Sequence, residues 1–252
     1  MTDDLRRTRG AAWSDDAAAA AYERLRPAYP IDAVDWLVPE GARRVLDLGA
    51  GTGKLTRALK ARDLEVVAVD PSAAMLRQLA VAVPGVPTFV GTGEAIPLPD
   101  SSVDAVVCGQ AWHWMDAARA SAEVARVLRP DGVLGLVWNG DDDSVGWVAE
   151  LQAQKRDARG QSTGQGAEGQ VAVASLGISA DFRDPEERAF RWRAPYAVDD
   201  IVELVTTRSY ILTAPPETRS ALTEAVRTLL ATHPDTAGLS VVELPMVTTC
   251  VR

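Results

Sequence analysis

The stretch Val45 to Lys54, VLDLGAGTGK, decides the fold class. A run of β-formers leads into three glycines, Gly49, Gly51 and Gly53, and helix-forming residues follow them directly. Glycine tolerates left-handed dihedrals and lets another group approach the backbone closely, because it has no Cβ. A turn of this kind between a strand and a helix leaves backbone N–H groups free to face a ligand. The stretch therefore predicts a ligand site at the first strand-to-helix junction of an α/β protein.

Outward from this stretch, short apolar runs alternate with helix-prone segments. The predicted strands are RVLDLG, EVVAVD, PTFVG, VDAVVCGQ and GVLGLVWN. Continuous apolar strands that alternate with helices are typical of a parallel sheet covered on both faces. Two later strands, ERAFRWRAPY and SVVELPMVTTCVR, are predicted to form an antiparallel hairpin at the sheet edge. The predicted fold is α/β: a Rossmann-like, doubly wound, seven-stranded and mostly parallel sheet with an antiparallel edge hairpin and a helical lid.

A single domain over residues 1–252 accounts for this pattern. Residues 17–140 form the predicted ligand-binding core, residues 141–235 a helical insertion that acts as a lid, and residues 236–252 the final edge strand. The Gly/Gln-rich run from Gly160 to Gln170 has little apolar surface to offset its ordering entropy. This run is therefore predicted to be a mobile loop of the lid.

Composition and charge argue against several classes of protein. The formal net charge is −9, whereas a nucleic-acid-binding protein usually carries a basic face. No run of 18 apolar residues exists, and the first ten residues lack the apolar segment of a secretory signal. Cys108 and Cys250 lie in apolar runs, so we expect them to be buried and reduced. The expected protein is cytoplasmic and binds neither nucleic acid nor membrane, and its oligomeric state is not indicated.

A carboxylate at the end of the second strand narrows the class of ligand. The strand EVVAVD ends at Asp70, nineteen residues after Gly51. An acid at this place can accept hydrogen bonds from both hydroxyls of a ribose. Turn and acid together predict a nucleoside-containing ligand, and the alternative is a tight turn with a capping aspartate. A dinucleotide is less favoured, because its G-x-G-x-x-G motif has a third glycine where Lys54 stands.

Five motifs in order along the chain resemble those of class I S-adenosylmethionine-dependent methyltransferases. Four are VLDLGAGTGKLT, VVAVDPSAAML, GTGEAIPLPDSSVDAVVCGQAWHW and EVARVLRPDGVLGLVWN. The fifth, Y-x-R-x-R-P-x-Y-P at Tyr22 to Pro30, is similar to the small-molecule enzymes of the methyltransferase type 11 group. The resemblance covers roughly residues 20–140, and more weakly RSY and ELPMVTTC near the end. It implies transfer of a methyl group from S-adenosylmethionine to a small-molecule acceptor by in-line displacement.

The resemblance also implies which residues bind the cofactor. Those residues are Gly49, Ala50 and Gly51 along the methionine moiety, Asp70 at the ribose hydroxyls, Pro71, Ser72 and Met75 beneath the adenosine, Thr92, Gly93 and Glu94 beside the adenine, Gln110 beside the reacting methyl, and Tyr22 and Arg26 in an N-terminal segment that folds over the cofactor. Gly93 departs from the family pattern, in which alanine is commoner, and Glu94 is an alternative loop anchor. Arg26 has two alternative roles. It could pair with an acidic acceptor, or it could be a surface arginine. Asp47 is expected to anchor the turn rather than to bind the ligand.

The segment QAWHWMD after the fourth strand carries the candidate acceptor contacts. His113 is the candidate general base, which is needed only if the acceptor is an un-ionised hydroxyl or amine. Its alternative role is to shape the wall of the site. The other predicted acceptor contacts are Trp112 and Trp114, whose alternative role is plain packing, together with Tyr29, Arg208 and Tyr210.

No metal site is predicted. No cluster of histidine, cysteine and aspartate has the spacing of metal ligands. The three acids at 141–143 follow the fifth strand and are expected to be solvated.

Two other functions remain open from the residues alone. The chain could bind S-adenosylmethionine or S-adenosylhomocysteine without methyl transfer, as a regulatory or repurposed protein. A nicotinamide-dependent dehydrogenase is disfavoured by the glycine spacing and by the stretch GTGEAIPLPD. The residues do not identify the acceptor or its nucleophilic atom.

Overall fold

The computed structural model describes residues 16–158, 160, 176–179, 182, 185–206, 211 and 214–252. Its strands are β1 Arg44–Leu48, β2 Glu65–Asp70, β3 Thr88–Val90, β4 Val103–Gly109, β5 Leu128–Asp141, β6 Glu187–Ala197 and β7 Val241–Val251. Its helices are α1 Asp16–Leu25, α2 Ile31–Leu37, α3 Lys54–Lys60, α4 Ala73–Ala82, α5 Ala117–Val127, α6 Gly146–Ala158, α7 Val198–Thr206 and α8 Pro216–Thr232, with a 3₁₀ turn at Trp112–Trp114.

The seven strands form one sheet in the order β3-β2-β1-β4-β5-β7-β6. The first five strands are parallel, and β7 pairs antiparallel with both β5 and β6. The strand order reverses between β1 and β4, and ligands of open α/β sheets bind at the carboxyl ends of the strands beside such a reversal. The predicted fold class is therefore confirmed, and the glycine turn lies at this place.

Both faces of the sheet are covered because consecutive residues of a strand point to opposite faces. Leu46 of β1 belongs to the same core cluster as Val124 of α5 on one face. Val45 belongs to the cluster on the other face, where Leu59 and Leu79 come from α3 and α4. Burial on both faces explains why β1 is apolar apart from Arg44 at its start and the buried Asp47.

The C-terminal strand is not the edge strand that was predicted for residues 236–252. β7 lies between β5 and β6, so β6 forms the edge of the sheet. The reason is visible in the side chains, since β7 is buried over most of its length, whereas β6 exposes charged residues such as Arg191 and Arg193. Charged side chains on an edge strand discourage pairing with another chain. The segment 141–235 is accordingly not solely helical, because it supplies this edge strand.

A third apolar cluster joins the N-terminal helix to the C-terminal half of the chain. Leu25 at the end of α1 packs with residues of α6, α7 and α8, among them Leu151, Ile201 and Val226. The two cysteines are free and buried, as the sequence predicted. Within the described part of the chain, no helix has the length and apolar character needed to cross a membrane.

Candidate functional site

The three glycines of the turn all have left-handed backbones, with φ of 72°, 55° and 90° at Gly49, Gly51 and Gly53. A Cβ on Gly49 would overlap Ala111, and a Cβ on Gly53 would lie 2.7 Å from Cγ of Leu79. Among the described residues, a Cβ on Gly51 would meet no atom within 4 Å. Gly49 and Gly53 therefore serve close packing as well as turn geometry, whereas Gly51 presents its backbone to open space.

Asp70 is hydrogen-bonded to this same turn. Its Oδ2 accepts from the backbone N–H of Gly51 at 2.9 Å, and its Oδ1 accepts from the N–H of Ser72 at 2.8 Å. Burial raises the pKa of Asp70, and the two backbone N–H groups oppose that rise. Each carboxylate oxygen has two acceptor sites, so each keeps one for a ligand. The structure thus brings together the acid and the turn that the sequence predicted to share a ligand.

The helix after Asp70 begins at the residues assigned to the adenosine. The hydroxyl of Ser72 caps α4 by accepting from the N–H of Met75 at 3.3 Å. Met75 is buried, whereas Pro71 is exposed at the mouth of the site. These positions follow the carboxyl end of β2, where a nucleoside bound to Asp70 would lie.

Asp47 is a buried carboxyl group at the base of the turn, with a side chain 1% exposed. Its Oδ2 accepts from the hydroxyl of Thr56 at 2.6 Å, which ties β1 to α3. Its Oδ1 is also buried and has no hydrogen-bond partner among the residues that the structure describes. Desolvation raises the pKa of Asp47 to about 7. An anchoring role agrees with the bond to Thr56, and the unpartnered oxygen leaves room for a donor from a ligand.

Asp47→Asn is expected to remove a pH dependence of stability. The unfolded carboxyl ionises near pH 3.8, whereas the folded one keeps its proton to about pH 7. The unfolded state therefore loses its proton first, and the Asp47 contribution to the free energy of unfolding falls as pH rises through this window. At about 1.4 kcal/mol per pKa unit the total is on the order of 4 kcal/mol. Between about pH 5 and pH 8 the change is on the order of 3 kcal/mol of this total, and urea unfolding of both proteins at these two pH values measures it. If the free energy of unfolding changed equally with pH in both proteins, the prediction would be contradicted.

The loops after β3 and β4 pack on each other beside the turn. Glu94 accepts from the backbone N–H of Asp116 at 2.7 Å, so its carboxylate ties the two loops together. Thr92 forms an isolated bridge with Ala95. A Cβ on Gly93 would overlap the sulfur of Met115. The departure from alanine at Gly93 therefore has a packing cause, because Met115 already fills that space.

Gln110 ends β4 in a strained conformation. Its φ is 60°, a left-handed value that few residues other than glycine adopt. Its backbone N–H donates to the carbonyl of Val137, and its Nε2 donates to the carbonyl of Asn139, each at 2.9 Å. Residues held in such conformations often cluster at functional sites. The bond to Asn139 directs the Gln110 side chain toward the end of β5.

The 3₁₀ turn after Gln110 divides its aromatic residues between core and surface. Trp112 is 2% exposed, packs in the core cluster beside α5, and donates its Nε1–H to the carbonyl of Leu176 at 3.0 Å. The prediction that Trp112 lines an acceptor pocket is therefore wrong, because its ring faces the core. Trp114 is half-buried, with its ring centroid 4.7 Å from that of His113.

His113 keeps exposed surface in this turn. Desolvation by the surrounding protein lowers the pKa of its imidazole, so the ring is neutral at pH 7. A neutral ring can accept a proton, but the lowered pKa makes it a weaker base than free histidine. Tyr29 is unsuited to be a base, because burial raises the pKa of its phenol well above 10 and keeps it protonated.

The segment Tyr22 to Pro30 crosses the carboxyl ends of β1, β4 and β5. At its start Glu23 accepts from the hydroxyl of Thr52 at 2.6 Å, and the guanidinium of Arg26 lies over the ring of Tyr22 at 5.4 Å. Near its end the hydroxyl of Tyr29 lies over Gly109, where a Cβ would be 2.5 Å from that oxygen. The segment therefore covers the same edge of the sheet as the glycine turn.

Two of the three acids at 141–143 are not solvated as predicted. Asp141 is 3% exposed and accepts from Lys155 Nζ and Gln152 Nε2, each at 2.8 Å. Asp142 is also buried and accepts from Ser144. The reason is that β5 continues through Asp141 and that α6 covers it. In the described ranges, no group of three or more His, Cys, Asp or Glu residues could hold a metal ion.

Some predicted residues lie outside the described part of the chain. These are Arg208, Tyr210 and nearly all of the run from Gly160 to Gln170. Other residues were missed by the sequence analysis, notably Glu23, Met115 and Asn139. Asn139 could have been identified from the sequence, because it is the single amide residue that ends the apolar strand GVLGLVWN at the functional edge of the sheet.

Taken together, the glycine turn, the acid on β2 and the covering segment define an α/β protein whose sheet has, at its carboxyl edge, the features typical of a nucleoside site. The family model described as a methyltransferase domain matches residues 46–136. An uncharacterised methyltransferase of Mycobacterium tuberculosis is 48% identical over 236 residues, which cover 94% of this chain and 93% of that protein. One from Schizosaccharomyces pombe is 33% identical over 91% of this chain and 92% of its own length.

A solved structure shows the same architecture. It is assigned as a type II methyltransferase from Anaeromyxobacter dehalogenans, is 25% identical, and superposes with a TM-score of 0.61 over 90% of this chain and 96% of that one. The chain belongs to the family of class I S-adenosylmethionine-dependent methyltransferases.

Proposed function

We propose that this enzyme binds S-adenosylmethionine at the glycine turn and transfers its methyl group to a small-molecule acceptor. The observation that carries the proposal is the bond from the Gly51 N–H to Asp70. This bond places the carboxylate of Asp70, which can still accept hydrogen bonds, next to Gly51. Of the three glycines of the turn, Gly51 is the one that faces open space among the described residues. A nucleoside with two ribose hydroxyls and an adjacent chain fits this pair of features.

The residues present fit the cofactor. Asp70 would hold the ribose hydroxyls, and Gly51 leaves the backbone accessible to the methionine moiety. The buried and unpartnered Oδ1 of Asp47 fits a ligand that brings a donor to the base of the turn. When bound, S-adenosylmethionine supplies a methyl group that is already activated by its sulfonium. The contribution of the protein is then mainly to hold the acceptor in line and to exclude water.

Whether the protein must accept a proton depends on the ionisation state of the methyl acceptor. An acceptor that is ionised near pH 7 needs no base, whereas a neutral hydroxyl or amine must lose a proton. His113 is neutral at pH 7 and exposed at the same edge as Gln110, which makes it the group suited to take such a proton.

A small acceptor is supported by what covers the site. Residues 22–30 cross the carboxyl ends of the strands and close the edge against a large partner. The net charge of −9 disfavours a nucleic acid. The two free buried cysteines fit the reducing cytoplasm, which we propose as the location.

Titration calorimetry tests the cofactor part of this proposal. We expect saturable binding of S-adenosylhomocysteine and none of NAD. Incubation with S-adenosylmethionine and a metabolite extract then tests methyl transfer, read as a product that has gained the mass of one CH₂ group. A heat-inactivated sample is the control. Binding of NAD alone would overturn the proposal, and binding of S-adenosylhomocysteine without any methylated product would favour a binding protein.

We further propose that residues 17–30 and the helices between 141 and 235 form a lid over the site. Their contacts support this, because Leu25 packs against the C-terminal helices while Glu23 bonds to the glycine turn. S-adenosylhomocysteine is then expected to slow amide exchange in peptides 17–30 and 155–175, since ligand binding favours the closed state. Exchange mass spectrometry with and without the ligand measures this. Equal exchange in both states would rule out a lid.

A further inference from the structure

A chain of hydrogen bonds leads from the edge strand to the N-terminal segment. The indole Nε1–H of Trp192 donates to Oγ1 of Thr248 at 2.9 Å, and that hydroxyl donates to Oδ1 of Asn139 at 2.6 Å. Nδ2 of Asn139 then donates to the carbonyl of Ala28 at 2.9 Å. Thr248 and Asn139 are buried, so water does not compete for these groups.

The chain has only one possible direction. An indole nitrogen is a donor only, so the hydroxyl of Thr248 must accept from Trp192. Its single hydrogen is then left for Oδ1 of Asn139. This sets the orientation of the amide, whose NH₂ group must face the carbonyl of Ala28. Donors and acceptors therefore match at every link.

Asn139 also holds a second part of the site through its backbone. Its carbonyl accepts from Nε2 of Gln110 at 2.9 Å, and Gln110 has the strained left-handed backbone at the end of β4. Ala28 directly precedes Tyr29, whose hydroxyl lies over Gly109 on the same strand end. One residue thus joins the covering segment to the side chain that ends β4.

We infer that Asn139 is a positioning residue for methyl transfer: it holds residues 26–30 and Gln110 in register over the carboxyl ends of β4 and β5. The inference rests on the proposed function. Asn139 acts through these groups and need not touch the cofactor or the acceptor. Glu23 and Tyr196 hold the earlier part of the segment, through Thr52 and the carbonyl of Leu25, so loss of Asn139 should loosen mainly residues 26–30.

Asn139→Asp tests the inference with almost no change in side-chain volume. An ionised carboxylate would place an acceptor opposite the carbonyl of Ala28, so an attraction becomes a repulsion. We expect faster amide exchange without ligand at Arg26, Ala28 and Tyr29, since Pro27 and Pro30 have no amide hydrogen, and affinity for S-adenosylhomocysteine weakened about 10-fold. Exchange in β1 and β2 should stay as in the wild type. Thr248→Val, which removes the donor to Oδ1 without adding charge, should show the same pattern more weakly.

Two control variants separate positioning from general destabilisation. Thr248→Ser keeps the hydroxyl and should retain wild-type exchange and affinity. Thr236→Val removes another buried hydroxyl, which bonds to the carbonyl of Leu230, and should lower stability without changing residues 26–30. Unchanged exchange and affinity in both Asn139→Asp and Thr248→Val, or the same loss in Thr236→Val, would overturn the inference. If the wild type does not bind S-adenosylhomocysteine, the proposed function fails, and exchange at residues 26–30 alone decides the role of Asn139.

Discussion

Gly51→Val is expected to abolish binding of S-adenosylhomocysteine while the rest of the fold remains intact. The φ of Gly51 is 55°, and a β-branched residue with such a value carries strain of about 1–3 kcal/mol. The added side chain would also extend into the space in front of the turn, where no atom of the described part of the chain lies within 4 Å of the Cβ position. That space is where the proposed cofactor approaches the backbone, so the methyl groups of valine would displace it.

Gly41→Val is a matched control for this variant. Gly41 also has a left-handed φ, 83°, and a Cβ there would likewise meet nothing within 4 Å. It precedes β1 and therefore lies at the amino edge of the sheet, away from the proposed site. Both variants should lose similar stability in thermal unfolding, but only Gly51→Val should lose binding in calorimetry. Similar affinities in the two variants would show that the ligand does not sit on this turn.

Asp70→Ala should weaken binding of S-adenosylhomocysteine by about 10-fold or more. The change removes the proposed acceptor of two ribose hydroxyls, and the loss of one hydrogen bond to a charged group, about 1.5–3 kcal/mol, already accounts for about 10-fold. It should also lower stability, because the backbone N–H groups of Gly51 and Ser72 lose their acceptor. Calorimetry measures the affinity, and thermal unfolding measures the loss of stability.

Asp104 provides the matched control for Asp70. Its Oδ2 accepts from the backbone N–H groups of Arg43 and Arg44 at 2.9 and 2.8 Å, much as Asp70 accepts from two backbone groups. It lies near the start of β4, at the amino edge of the sheet. Asp104→Ala should therefore destabilise the protein and leave its affinity unchanged. An equal fall of affinity in both variants would mean that Asp70 acts only through stability.

The structure also separates the roles of the three glycines of the turn, which look equivalent in the sequence. Gly49 lies against Ala111 and Gly53 against Leu79, so substitution there would damage packing before it affected a ligand. Of these three glycines, only Gly51 combines a left-handed backbone with open space among the described residues. A loss of binding at Gly51 without a loss of fold would therefore locate the ligand, whereas a loss at the other two would not.

The sequence by itself determined the features that depend on local pattern. Continuous apolar strands alternating with helices predicted the parallel sheet, since such strands must be covered on both faces. The turn VLDLGAGTGK predicted the ligand edge because glycines are required where the backbone is left-handed. Asp70 was predictable because the end of the second parallel strand always lies beside the first strand-to-helix turn.

Only the tertiary structure decided which faces and partners the remaining residues take. Trp112 looks like its neighbour Trp114 in the sequence, but the 3₁₀ turn directs it into the core toward Leu176. Likewise, Asp141 became a buried partner of Lys155 once α6 covered the end of β5. Asn139 meets Ala28, which is 111 residues away, because residues 22–30 cross the end of β5, and β7 brings Thr248 beside Asn139. Burial and hydrogen bonding depend on contacts between segments that are distant in the sequence. A local sequence pattern does not indicate which distant segment will pack against it.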